Sequence, residues 1–368
     1  LTDSRRALVG VAVLLGSLGA QLLARRFPEV VEAAYSRRLY PHLAATIGAA
    51  PSWLPFSLAE GLLALVMGVG LVLTAVLAAR LFRDRKVPWK LASRLASVAL
   101  LLAGAGYAFF LLAWGFNYSR EPFAKNAGLP VADSALHEVE ALGAFLVEQA
   151  NREREGLPED EAGVLRIQGG FPSVSRRVEA GYERASRAFP WLTGFAAPPK
   201  AALLSPVLSR LGVSGIFSPF TGEPNVNTTL PDAEQPFSAA HEVAHQRGIA
   251  REDEANYVAY LACVGHPDRD FRYSGWLNAA QYTLGALYRA DPAAHARVAA
   301  WSPAVRRDLL ALKAWADRYR GKATEVGRRV NDAYLRSQGQ ADGVRSYGRM
   351  VDLLLAERRK AAGAAPAR

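Results

Sequence analysis

The residues whose types and spacing could do chemistry are His241-Glu242-Val243-Ala244-His245. Two histidines four positions apart project from one face of a helix, where both imidazoles can reach a single metal ion, and Glu242 stands beside them as a general base. Pro236 suits the first turn of that helix and Gly248 the residue past its last, so it is expected to stop soon after His245. A second helix is expected to begin near Arg251 and to open with Glu252-Asp253-Glu254-Ala255-Asn256. On it Glu252, Asn256 and Ala259 share one face, while Glu254 is turned about 200° away. Glu252 is therefore the expected third ligand, and Asn256 the expected acceptor for the ring N–H of a ligating histidine.

Two neutral imidazoles and one carboxylate leave a metal with an open position, able to polarise a carbonyl and to activate water. With Glu242 moving the proton to a leaving amine, the chemistry is peptide-bond hydrolysis and the expected metal is zinc. The expected partner is accordingly a peptide or protein substrate. A non-catalytic alternative remains open, in which the zinc is structural or the fold serves sensing or assembly. His266, Tyr273 and Tyr347 are candidate donors to the oxyanion of a tetrahedral intermediate, although nothing in the sequence fixes their distance to the metal. Cys263, the single cysteine, allows no intrachain disulfide and reads as core filling, and His42, His137 and His295 read as surface residues.

The elements that must position these groups divide the chain. Residues 7–24 are eighteen uncharged residues between Arg6 and Arg25, 61–79 a second apolar run of nineteen, and 95–119 a third of twenty-five. Each is long enough to cross a hydrocarbon core. The first is longer than a usual signal-peptide core, and no small-residue cleavage pattern precedes Arg25-Arg26. Three transmembrane helices are expected at about 7–24, 61–79 and 95–117, with Trp114 and Tyr118 as interfacial anchors. The aromatic and proline residues of 25–57 fit either a cap packed on the soluble domain or interfacial anchoring, and anchoring is the expectation.

Charge sets the orientation. Residues 1–94 carry twelve Lys/Arg against five Asp/Glu, a net of +7 that leaves only +3 of the total +10 for the remainder. Positive charge at the ends of apolar runs is what membrane topology requires, so a nucleic-acid partner is not expected. The dense basic loop from Arg80 to Arg94 is expected in the cytoplasm, and the chain after Ser119 on the external face.

From residue 120 to about 360 a soluble, mostly α domain with a small sheet is expected. Residues 120–130 read as a linker, 133–154 and 173–189 as helices, 200–208 and 214–217 as short strands, and 218–227 as a hairpin turn and return strand. An exposed strand just before the histidine helix could pair with an extended peptide or merely complete the sheet. Helices are expected at about 271–289, 303–319, 323–337 and 343–360, followed by a disordered tail at 361–368.

The histidine motif followed by Glu252-x-Glu254-Ala255-Asn256 resembles the gluzincin arrangement, in which an HExxH helix is followed by one bearing E-x-E-A-D or E-x-x-x-D. It departs in Asn256 for the acid and in a step of only seven residues from His245 to Glu252. Gly248 is similar to the glycine of the metzincin pattern, but the third-ligand position there is Arg251, which cannot bind zinc. Almost the whole chain resembles the bacterial membrane family called domain of unknown function 3810. PFTGEPNVN at 219–227, HEVAHQRGIAREDEANYVAYLAC at 241–263, RYSGWLNAAQY at 272–282 and DGVRSYGRMVDLLL at 342–355 carry that resemblance. It implies a three-span protein of the bacterial inner membrane with a zincin-like domain, and it implies no substrate.

Overall fold

The computed structural model describes residues 2–84, 89–340 and 349–363. Tyr347, the expected helical stretch 343–348 and the end of the expected tail lie outside them.

The chain is mostly helical. Three helices, Asp3–Ala24, Leu58–Asp84 and Trp89–Ala113, contain stretches long and apolar enough to cross a membrane. The first and third cross at glycines. A Cβ on Gly104 would run into the Gly10 carbonyl, and one on Gly10 would lie 2.6 Å from the Leu100 carbonyl carbon. Small residues are what such close backbone approach needs. The second helix stands apart, with no residue of its apolar window buried. Its first turn is instead capped from a distance: the Glu223 carboxylate accepts from the Leu58 and Ala59 N–H groups at 3.0 and 2.8 Å, an anion at the positive end of a helix. Lys200 Nζ, 2.5 Å from Glu223, compensates that buried charge.

Three expectations about this half are corrected. The third helix ends at Ala113 and gives way to a 3-10 turn, Gly115–Ser119. Trp114 and Tyr118 are buried inside the protein rather than placed as interfacial anchors. Residues 25–57 form a cap on the chain that follows residue 119, built of a π-helix, Val31–Leu39, and a helix, Tyr40–Ser52. Tyr40 Oη donates to the Gln246 carbonyl at 2.6 Å, and Glu32 receives Arg120 through two hydrogen bonds of 2.8 Å. A buried arginine requires a counter-charge, and this one comes from the cap.

The remaining chain folds as helices around a three-stranded sheet of order β1-β3-β2, with β1 Lys200–Ala201, β2 Gly215–Ser218 and β3 Glu223–Val226. β1 runs parallel to β3, and β2 antiparallel to it with Gly215 opposite Val226 and Ser218 opposite Glu223, so β2 is an edge. The strand expected over 200–208 is two residues long, because Pro206 starts a short helix, Ser205–Leu211, that Gly212 closes at φ 72°. The expected linker contains a helix, Phe123–Ala127, whose Phe123 enters the main core. The helix expected over 173–189 divides into Gly170–Arg177 and Glu179–Ala188. Pro292–Val298, capped by Asp291, is a helix the sequence reading lacked. At the centre lies the histidine helix, Gln235–Gln246, all of whose residues are buried.

Candidate metal centre

The histidine helix can occupy the middle of the fold because Ala239, Ala240 and Ala244 let neighbours approach with no exposed surface left. It ends as Gly248 turns at φ 79°, with the Gly248 N–H on the His245 carbonyl at 2.9 Å and the Ile249 N–H on the Ala244 carbonyl at 3.0 Å. Those bonds satisfy carbonyls that the last turn leaves free. A Cβ on residue 248 would also lie 2.8 Å from the Tyr40 ring, so the left-handed turn and the cap both need glycine there. The reversal is tight enough that the next helix, Glu252–Val264, presents its first residue to the histidines.

His241 Nε2 and His245 Nε2 are 3.0 Å apart, and Glu252 Oε2 lies 3.2 Å from the first and 3.6 Å from the second. Ligand atoms about 2.0–2.1 Å from a tetrahedral metal are separated by roughly 3.3 Å, and the three distances bracket that value. All three residues are buried, and together they could hold a metal ion. The Ile249 carbonyl, 2.7 Å from His245 Nδ1, fixes that ring with its Nε2 lone pair toward the group. Trp114 Nε1 donates to the His245 carbonyl at 2.8 Å and sets its ring edge-on to the imidazole. His241 Nδ1 and Glu242 Oε2 have no hydrogen-bond partner among the described residues, as expected where water or an ion completes the polar site.

The electrostatics agree with the donor set. Burial works against the charged form of His245, but the Glu252 carboxylate against it outweighs burial and pushes its pKa up to about 9. Glu252, although buried, is held well below the usual carboxylate range by His245 and His241. Such a group calls for a cation, whether protons or a metal that displaces them. Burial pushes Glu242 up to about 7, with the two histidines opposing it. Its carboxylate lies under β2: a Cβ on Gly215 would come within 2.5 Å of Glu242 Oε1.

Of the other sequence candidates among the described residues, Asn256 stays near the group, in the lining of the same cavity, and the rest are placed elsewhere. Glu254 Oε1 accepts from the Phe123 N–H at 2.8 Å and from Arg251 at 3.0 Å. Asn256 is buried beside the Tyr282 phenol; the Ile249 carbonyl, not its amide, holds the His245 ring. His266 stacks on Phe271 and binds the Arg177 carbonyl, and Tyr273 donates to Asp308 in a buried cluster with Arg154, so neither reaches the histidines. Cys263 is in the core.

A cavity of about 1310 Å³ opens from His241, His245, Glu252 and Glu242. Its lining includes Glu234, Asn278, Tyr282 and Tyr334, which sequence reasoning missed. Tyr282 sits in the segment RYSGWLNAAQY and Tyr334 follows Val326 and Val330 at helical spacing, but only the fold aims them here.

No curated protein and no solved structure matches the chain. The family model described as Protein of unknown function (DUF3810) matches residues 35–355, from the cap to the last helix, and the chain belongs to that family.

Proposed function

We propose that the protein is a membrane-anchored zinc peptidase whose catalytic domain stands on the external face of a bacterial inner membrane. The observation that carries this reading is the buried convergence of His241, His245 and Glu252 with Glu242 beside them under an edge strand. Two nitrogens and one carboxylate oxygen suit zinc, and the short ligand separations suit tetrahedral coordination. Zinc on these residues would supply Lewis acidity toward a carbonyl and toward water.

The chain's own groups do the rest. Glu242, buried and not needed as a ligand, takes a proton from the attacking water and hands it to the leaving amine. The outer edge of β2 offers backbone donors and acceptors to an extended peptide running past Glu242. Trp114, Ile249 and the Gly248 turn keep His245 in place. Three helices with the length and composition of membrane spans support anchorage in a bilayer.

The test combines metal content with turnover on the purified full chain. About one zinc per chain is expected, most of it lost in His241→Ala and His245→Ala. Glu242→Gln should keep the zinc and lose peptide cleavage by roughly 100-fold or more. Full zinc in both histidine variants, or undiminished cleavage by Glu242→Gln, would sink the reading.

A further inference from the structure

The cavity does not end at the metal group. It continues onto the third apolar helix, Trp89–Ala113, where Leu102, Ala103, Gly106, Tyr107 and Phe110 form its wall. At a rise of about 1.5 Å per residue, Leu102 lies roughly 16 Å back from the helix end, near the helix middle. In a helix that spans a bilayer this is close to half the depth of a hydrocarbon core about 30 Å thick.

The facing wall is apolar too. Phe220, at the tip of the β2–β3 turn and 51% exposed, stacks on Phe109 with centroids 5.8 Å apart. Val326 and Val330, one turn apart on the helix Lys322–Ser337, are 55% and 64% exposed and line the cavity with Tyr334. The lining's carboxylates, Glu234, Glu242 and Glu252, and its two histidines, His241 and His245, belong to the opposite end. That end suits a main chain to be hydrolysed. The volume exceeds the ~300–1,000 Å³ of an ordinary small-molecule pocket.

We propose that the substrate is a polypeptide with a membrane-resident apolar segment, which lies against the third helix and the Val326/Val330 face while the adjoining main chain crosses Glu242. The inference rests on the peptidase and membrane readings above. It explains why the apolar channel is continuous with the polar site. A water-soluble peptide would leave the exposed Val326 and Val330 of the cavity wall without a role.

Two measurements on the full chain in phospholipid nanodiscs test it. In the first, zinc-loaded Glu242→Gln protein is irradiated with a synthetic peptide that joins a polar stretch to a membrane-length Leu/Ala run carrying a diazirine leucine. Cross-links are expected at residues 102–110 and 326–334, and about tenfold fewer in Gly106→Trp, where a side chain enters open space, and in Val330→Asp. Cross-links confined to other surfaces overturn the proposal, as does labelling of the same residues by a photoactivatable phospholipid that the peptide fails to displace.

The second measurement compares wild-type cleavage of that peptide with cleavage of its polar stretch alone. The apolar run should raise the rate about tenfold or more, and Gly106→Trp should bring the ratio toward one with zinc content unchanged. Equal cleavage of the two overturns the substrate class and leaves the peptidase reading standing. Cross-linking at the cavity without any cleavage counts against the peptidase reading and retains the apolar polypeptide as the ligand.

Discussion

Glu252 and Glu254 are two residues apart on one helix, and the fold gives them different work. Glu252 faces both Nε2 atoms, whereas Glu254 accepts the buried Phe123 N–H. Glu252→Ala should therefore weaken zinc binding strongly. Glu254→Ala should keep the zinc and destabilise the protein by about 1–3 kcal/mol, the cost of a buried donor left without its acceptor. Zinc titration and thermal unfolding of the pair check this, and zinc lost only from Glu254→Ala would reverse the assignment. Gly215→Ala tests the base. Its Cβ would press on the Glu242 carboxylate, so turnover should fall by about tenfold or more with zinc retained, and unchanged turnover would remove the close approach from the argument. The grouping of His241, His245 and Glu252 was legible in the sequence because helical periodicity aligns residues 241 and 245 and sets the phase of 252 on its own helix. The support of His245 by Ile249 was not, since it depends on the path of a glycine turn.

Between the residues and the whole lies the cap, which the sequence reading resolved the wrong way. Aromatic and proline content describes a buried cap and an interfacial loop equally well; what decides is Arg120, a counter-charge 88 positions from Glu32. Burial alone would raise the Glu32 pKa, but the Arg120 and Arg37 guanidiniums outweigh it and hold the group below its ordinary value of 4.5. A depressed carboxylate pKa adds stability that is present above the unfolded value and is lost as pH falls through the folded one. Glu32→Gln leaves Arg120 buried without its counter-charge, at a cost of about 3–5 kcal/mol near neutral pH. The gap in melting temperature between wild type and Glu32→Gln should therefore be widest near pH 7 and narrow as pH falls below about 4.5. A gap that stays constant over that range would take the ion pair out of the cap's stability. Other misses share this cause. Phe123 is core because of what surrounds it, and the prolines of 120–130 conceal the short helix that carries it there.

Across the whole molecule, three helices long and apolar enough to cross a membrane were legible from composition, and their docking on the rest of the chain was not. Trp114 after an apolar run has the same sequence signature at a membrane surface and against His245. The docking bears on orientation. The first helix reaches the C-terminal domain through Gln21 and Gln338, the second through Leu58 and Glu223, and the third through Trp114 and His245. Arg5, Arg6, Arg80, Arg83, Lys90 and Arg94 thus gather at the ends remote from it. The arginines on the near side, which dilute the charge asymmetry in the sequence, are partly engaged by the fold: Arg25 donates to the Ser337 carbonyl, and Arg37 pairs with Glu32 over the Trp191 ring. The remote ends are then expected in the cytoplasm and the metal centre outside. Cys263 is buried and should be silent toward a charged maleimide, so the native chain gives a clean background. In intact cells Glu161→Cys should be labelled and Trp89→Cys should react only after permeabilisation, and the reverse pattern would place the metal centre on the cytoplasmic side.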